Sequence, residues 1–228
     1  MRTYWFAVGT TFILPLGLII GAAICQRKIK PVLLGVLCFT IMQLFLRIPL
    51  LRYVAVQAWY TEERRLHPLL IIAGIALSAG LFEEIGRWIF MKKGKLKSRA
   101  DCIAFGIGHG GIEALVLVGL NVVLLGSQPQ LLASTPSASM LQTGIERLSA
   151  MLLQVSLTVF VWYGLCHKQK SRLLMAIFLH GLIDFFTAYL QMKQMDIWTI
   201  EWIVCGISLF LAAISLYVLG KEKHEKQA

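Results

Sequence analysis

Residues 68–91 read PLLIIAGIALSAGLFEEIGRWIFM, an apolar run that is interrupted by charge only at Glu83, Glu84 and Arg87. A helix needs about 20 predominantly apolar residues to cross a bilayer, so this run predicts a membrane span. A charged side chain at the centre of a bilayer costs roughly 2.5–3.5 kcal/mol on insertion scales. Three such side chains close together therefore indicate a functional site inside the span.

The rest of the chain has the same apolar character. Of its 228 residues, 57% are hydrophobic and 15% are charged, which is a membrane composition. Seven spans are predicted, at about 4–25, 31–51, 68–91, 102–126, 142–166, 173–190 and 197–219. The first is interpreted as a retained helix, because no small-residue cleavage site follows it. The sequence thus predicts an all-α, polytopic bundle of about seven transmembrane helices. It would form a single integral membrane domain over 1–228, with a catalytic core at about 68–190.

Two stretches predict local irregularities in this pattern. Pro49 predicts that the second span kinks or ends early, because proline lacks the N–H that a helix interior requires. Residues 127–141 are rich in Ser, Pro and Gln and predict a surface loop.

Lysine and arginine are distributed unevenly among the connections. The connections after the first, third, fifth and seventh spans hold 14 of the 22, whereas the N-terminus and the other connections hold five. Cytoplasmic loops carry the excess of these residues, so the N-terminus is predicted outside and the C-terminus in the cytoplasm. The same clustering accounts for the net charge of +10 without nucleic-acid binding. We expect a multi-pass protein of the plasma membrane, bacterial in type, whose partner is the lipid bilayer and not a nucleic acid.

Two further motifs lie in predicted spans. Phe105-x-x-x-His109 is followed by Glu113, and His180-x-x-x-Asp184 lies in the sixth span. Residues four apart share a helical face, so each histidine projects beside the carboxylate that follows it. At 1.5 Å per residue, both histidines and the first motif lie about 10–12 Å from the predicted cytoplasmic ends of their helices. The three motifs are therefore expected to meet in one layer, reached from the cytoplasmic side.

The spacing within the first motif separates its two acids. Glu83 and Glu84 point about 100° apart on a helix, so they cannot face one cavity equally. Arg87 is close enough to hold one carboxylate while the other faces water. This arrangement predicts one structural and one chemical carboxylate. The small residues of 106–111, GIGHGG, predict close helix packing and a backbone that is accessible to a ligand.

The three motifs resemble those of the CAAX-protease and bacteriocin-processing superfamily of intramembrane proteases. That pattern is a double glutamate followed by arginine, then FxxxH, then HxxxN or HxxxD. More closely, the chain resembles the YhfC-type branch, whose members are described as intramembrane proteases of glutamic or metallo type. The region with the motifs covers about half of the chain. The resemblance implies an intramembrane peptidase that hydrolyses a peptide bond of a membrane-embedded or lipid-anchored substrate.

The resemblance also implies a role for each motif residue. Glu83 and His109 would activate a water molecule for attack on a peptide carbonyl. Glu84 would orient the site through Arg87, and His180 with Asp184 would stabilise the oxyanion or position the water. The residues assigned in this way are the catalytic Glu83, Glu84, Arg87, His109, His180 and Asp184, and the supporting Phe105. Glu113 is not part of the family pattern; its position four residues after His109 predicts either support for that histidine or a structural partner.

The chain departs from the superfamily pattern at two positions. Two residues, where three are common, separate the glutamates from Arg87, which turns its side chain by about 100° and leaves open which glutamate it pairs with. The last motif ends in Asp184, and a carboxylate cannot donate a hydrogen bond to an oxyanion unless it is protonated. Asp184 is therefore predicted to orient His180.

Three other functions stay open at this stage. We expect a glutamic mechanism with no cofactor, but a Zn²⁺-dependent version is an alternative in which glutamate, two histidines and aspartate would be the ligands. Intramembrane acids and histidines also form proton relays, so a proton-coupled transporter is a second alternative. The charges gather at one depth, and the sequence shows no inverted repeat. Both observations disfavour a transporter. A non-catalytic membrane partner is the third.

Three remaining charged residues are predicted to lie outside the site. Glu146 and Arg147 are interpreted as a charge pair near a helix start, and Arg47 as their partner or as a side chain that extends outward to the interface.

Overall fold

The computed structural model describes residues 1–225, with side chains as far as residue 222, and within them the chain is helical and contains no strand. The helices of this described part are α1 Arg2–Cys25, α2 Ile29–Ala55, α3 Ala58–Leu66, α4 Pro68–Gly94, α5 Arg99–Leu125, α6 Pro129–Ser134, α7 Ser137–Cys166, α8 Lys170–Met192 and α9 Ile197–Glu225. All except α3 and α6 are long and apolar enough to cross a membrane. The predicted all-α bundle of seven spans is therefore confirmed.

The spanning helices run alternately between two ends of the bundle. The turns at 26–28, 95–98 and 167–169 share one end, which we call the basic end. Lys28 Nζ lies 2.8 Å from Asp101 Oδ1 there, and Arg99 donates to the Leu219 carbonyl at 3.0 Å. The N-terminus and the connections 56–67, 126–136 and 193–196 form the opposite end. The cytoplasmic location of the basic end stays a prediction, and the side chains of Lys223 and Lys226 that contributed to it lie outside the described residues.

Helices α5 and α7 form the centre of the bundle. In their apolar stretches 61% and 67% of the residues are buried, compared with 22–33% in the other spanning helices. The surrounding helices present large apolar side chains outward, among them Phe45, Leu70, Phe178 and Phe210. Such side chains suit an outer surface that faces lipid, because apolar groups have no reason to avoid hydrocarbon.

Glycines bring the motif helices into close contact. A Cβ atom at Gly108 of α5 would lie 2.3 Å from the carbonyl oxygen of Val32 in α2. A Cβ atom at Gly80 of α4 would lie 2.5 Å from the carbonyl oxygen of Ile177 in α8. The close packing predicted from residues 106–111 is therefore confirmed. The prediction of a ligand-accessible backbone there is wrong, because neighbouring helices cover it.

Two irregularities differ from those predicted. Helix α2 continues through Pro49 as far as Ala55, and the preceding stretch Thr40–Arg47 is π-helical. We attribute the continuation to this wider turn, which reduces the clash between the proline ring and the preceding carbonyl. The predicted loop at 127–141 is shorter, because α6 lies within it and α7 already begins at Ser137.

Candidate active site

The three sequence motifs meet inside the bundle. Glu83 of α4, His109 of α5 and His180 of α8 are all buried, and each lies about ten residues from the basic end of its helix. At 1.5 Å per residue, this places them roughly 15–17 Å from that end. They lie in one layer, as predicted. The layer lies deeper than expected because, at the basic end, each helix continues beyond the end of its apolar run.

Glu83 is the most densely bonded carboxylate of the layer. Its Oε2 lies 3.0 Å from His109 Nε2 and accepts a hydrogen bond from Gln154 Nε2 at 3.1 Å. Gln43 donates to its Oε1. These contacts fix the carboxylate against the imidazole of His109, the pairing that the motifs predicted.

Arg87 pairs chiefly with Glu84. Its guanidinium donates directly to Glu84 Oε1, whereas its Nη2 lies 3.4 Å from Glu83 Oε2. Neither Glu84 nor Arg87 has any exposed surface, so the pair makes no hydrogen bond to solvent. Glu84 with Arg87 is therefore the buried ion pair, and Glu83 is the acid that lines the cavity described below.

His180 is held by Glu84, not by Asp184. Its Nδ1 lies 2.7 Å from Glu84 Oε1. Asp184 Oδ2 is 3.8 Å from His180 Nε2, too long for a hydrogen bond, and its side chain is 40% exposed. The hydrogen bond that orients His180 thus comes from Glu84 of the neighbouring helix and not from Asp184, as was predicted; Asp184 is within ion-pair distance of the other ring nitrogen.

Aromatic rings hold His109 in place. Phe105 stacks on the imidazole with ring centroids 6.4 Å apart, and Phe39 of α2 contacts it edge-on at 5.4 Å. Its Nδ1 has no hydrogen-bond partner within the described residues. Phe105 thus has the supporting position that was predicted, and packing fixes the ring plane.

Gln154 of α7 joins the two carboxylates that flank His109, a role that the sequence did not reveal. Its Nε2 donates to Glu83 and, at 2.5 Å, to Glu113 Oε2, while Arg87 donates to its Oε1. Gln154 carries no charge, so a pattern of ionisable residues does not include it. The signal that could have found it is a glutamine in the middle of an apolar run, where a polar group needs partners.

The two arginines that were predicted to lie outside the site are connected to it. Arg47 Nη1 donates at 3.1 Å to Gln43, which in turn donates to Glu83. Arg147 Nη1 lies 3.4 Å from Glu113 Oε1 and also pairs with its neighbour Glu146. The predicted Glu146–Arg147 pair is present. The prediction that Arg147 lies outside the site is wrong, because Arg147 contacts Glu113.

A cavity of about 410 Å³ extends from the layer towards the opposite end of the bundle. Its inner wall includes Glu83, Gln154 and His180, and its outer wall includes Gln191 and Glu201. The predicted approach from the basic end is therefore wrong. Between the layer and that end lie buried apolar side chains, among them Cys38, Cys102, Phe105 and Trp162. A separate cavity of about 440 Å³ opens at the basic end itself, and its lining includes Met91 and Leu96 but none of the motif residues.

Glu83, His109 and Glu113 could hold a metal ion. Each offers one ligand atom, these atoms lie within 4.8 Å of one another, and all three side chains are enclosed by the bundle. Catalytic zinc sites use three protein ligands of the His and Glu type and keep one position open, so this donor set fits Zn²⁺. The zinc ligands expected from the sequence are wrong in part, because the cluster contains Glu113, whereas His180 bonds to Glu84 and Asp184 lies 3.8 Å from His180 Nε2.

Seven spanning helices that enclose a carboxylate–imidazole cluster define a multi-pass membrane protein with a polar site inside the membrane. The sequence profile of the family described as YhfC intramembrane metalloprotease matches residues 11–130 and 124–204. The chain belongs to this YhfC family.

One curated relative is an uncharacterized membrane protein of Bacillus subtilis (strain 168) named YhfC. It is 30% identical over 243 aligned positions, which cover 93% of this chain and 92% of the relative. No solved structure matches the chain. The family name favours a metal-dependent enzyme over the cofactor-free mechanism expected from the sequence, and the likeness to CAAX proteases remains a resemblance of motifs.

Proposed function

We propose that this protein is an intramembrane metallopeptidase that hydrolyses a peptide bond of a membrane-embedded or lipid-anchored peptide. The observation that carries this proposal is the buried group Glu83, His109 and Glu113, which lies beside a polar cavity in the middle of the spanning helices. The catalytic core would lie within about 68–190. The membrane would be the plasma membrane of a bacterium; the relative from Bacillus subtilis is named a membrane protein.

In this proposal Glu83, His109 and Glu113 hold a divalent cation, with Zn²⁺ as the best fit to their donor atoms. When bound, such an ion polarises a peptide carbonyl and makes water a nucleophile at neutral pH. Gln154 holds the two carboxylates side by side by donating to both. Phe105 and Phe39 keep the imidazole of His109 in the plane that its partners require.

His180 is proposed to handle a proton. Glu84 accepts the N–H of Nδ1, so Nε2 of the same ring is left towards the cavity. An imidazole nitrogen in that position can take up a proton and return it to the departing amine of a cleaved peptide. Arg87 neutralises Glu84 and keeps it ionised as the acceptor for His180.

A glutamic mechanism is the second candidate, and it rests on the direct contact between Glu83 Oε2 and His109 Nε2 at 3.0 Å. In that version the carboxylate and the imidazole share the proton of an attacking water without a metal. Metal removal separates the two, since the glutamic enzyme would keep its full activity in metal-free protein.

Mass spectrometry of membrane peptides tests the function. Cells that produce the wild type are compared with cells that produce Glu83→Gln, His109→Ala or His180→Ala, each checked for equal amounts of folded protein. We expect cleavage products that occur only with the wild type. Glu62→Gln is the matched control, because Glu62 is an exposed acid of α3 outside the cavity. Unchanged products in any two of the three site variants would contradict the proposal.

A further inference from the structure

The cavity beside the proposed active site contains more acids than cations. Its lining includes the arginines Arg47 and Arg147, together with five acids, namely Glu83, Glu113, Glu146, Asp184 and Glu201. An excess of carboxylates in a narrow space attracts positive charge.

Four of the five acids have a partner inside the protein. Glu83 contacts His109, and both Glu113 and Glu146 contact Arg147. Asp184, which is partly exposed, lies 3.8 Å from His180. Arg147 is thus bonded to Glu113 and Glu146, and Arg47 donates to Gln43, Ser78 and the Ile75 carbonyl, so within the described residues neither arginine is held on Glu201 by a direct contact.

Glu201 differs from the other four. Only 7% of its surface is exposed, and its Oε2 has no hydrogen-bond partner within the described residues. Burying a carboxylate without a partner is costly, and buried charges in proteins are normally paired. The side chain also lines the cavity, so a group that enters the cavity can reach it.

The position of Glu201 suits contact with an incoming chain. It follows the first residue of α9, Ile197, by about one helical turn, which places it roughly 6 Å from the opposite end of the bundle. His180 and Glu83 line the same cavity further in. A chain that enters from this end would pass Glu201 before it reaches them.

We propose that Glu201 forms a cation-binding subsite at the outer part of the cavity. It takes a positively charged group of the substrate, either a lysine or arginine side chain or a free α-ammonium group, and so aligns the peptide with the inner residues. This inference rests on the proposed function. It adds the charge of the substrate and the end of the bundle from which the substrate enters.

Binding of three synthetic peptides tests the subsite. Each is a fluorescein-labelled Leu/Ala helix of about 20 residues, long enough to span a micelle. The first has an acetylated N-terminus and one lysine near it. The second replaces that lysine with norleucine, and the third has norleucine and a free N-terminus. Fluorescence anisotropy in detergent gives the dissociation constants, with His109→Ala as the background so that the peptides are not consumed.

We expect at least one of the two charged peptides to bind about tenfold more tightly than the neutral one. Whichever charged form binds more tightly identifies the source of the cation. Glu201→Gln, which keeps the shape and removes the charge, should abolish the difference, whereas the exposed-acid control Glu62→Gln should leave it intact.

Three results would overturn the subsite: equal binding of all three peptides, no measurable binding, or a preference that survives Glu201→Gln. The comparison among peptides needs no change at Glu201, so it stands even if that variant folds poorly. Anisotropy reports binding alone. A charge preference without any cleavage by the wild type would contradict the proposed function and leave the subsite in place.

Discussion

Replacing Gln154 with methionine should destabilise the protein, because Gln154 joins several residues of the polar layer. Methionine has a similar length and no hydrogen-bonding amide, so the change removes polar contacts with little loss of volume. Gln154 Nε2 donates to Glu83 at 3.1 Å and to Glu113 at 2.5 Å, and its Oε1 accepts from Arg87. Each of these three hydrogen bonds involves an ionised group.

The expected loss follows from the partners that remain. A hydrogen bond to a charged group contributes about 1.5–3 kcal/mol. The lower value applies here, because Glu83 keeps His109 and Glu113 keeps Arg147. Arg87 also keeps its ion pair with Glu84. Three bonds then give a loss of about 4.5 kcal/mol in the free energy of unfolding, a factor of ~2,000 in the equilibrium constant.

Equilibrium unfolding in mixed micelles measures this difference. Gln191→Met is the matched control, because Gln191 lines the same cavity but is exposed, and we expect it to change the free energy by less than about 0.5 kcal/mol. Peptide cleavage by Gln154→Met should fall together with stability, since Glu83 and Glu113 lose their common donor. A loss below about 1 kcal/mol with normal cleavage would refute the assigned role of Gln154.

Three further predictions concern packing, charge and orientation. Gly108→Ala should lower the free energy of unfolding by about 1–3 kcal/mol, because its Cβ would overlap α2, whereas Gly74→Ala, with open space around it, should not. Glu84→Gln should cost about 3–5 kcal/mol by leaving Arg87 buried without its main counter-charge, and unchanged thermal unfolding would contradict the pair. A green fluorescent protein fused to the C-terminus should fluoresce in the cytoplasm, and an alkaline phosphatase that is active at that position would reverse the predicted orientation.

The sequence was sufficient for the helices and for the meeting of the motifs. Apolar length predicts spans directly, since a membrane permits few other structures. Residues at equal distances from the helix ends, such as Glu83, His109 and His180, must lie at similar depth whatever the packing. For the same reason the site layer could be predicted before the neighbours of each helix were known.

The partners within the layer could not be predicted in the same way. Spacing along α8 favoured Asp184 as the partner of His180, but Glu84 from α4 lies nearer, because Gly80 lets the two helices pack closely. Gln154 also bonds across helices, so its role depends on how α7 is rotated. The direction of the cavity depends on which helix gaps are filled, and single-span patterns contain no information about that.

Cleavage of membrane peptides by purified protein in liposomes, measured before and after metal removal, tests the central claim most directly. Chelator treatment followed by dialysis should abolish cleavage, and one equivalent of Zn²⁺ should restore it in the wild type but not in Glu113→Gln, which lacks one of the three proposed ligands. Full cleavage by protein shown to be metal-free would contradict the metallopeptidase proposal and leave the Glu83–His109 pair as the catalyst.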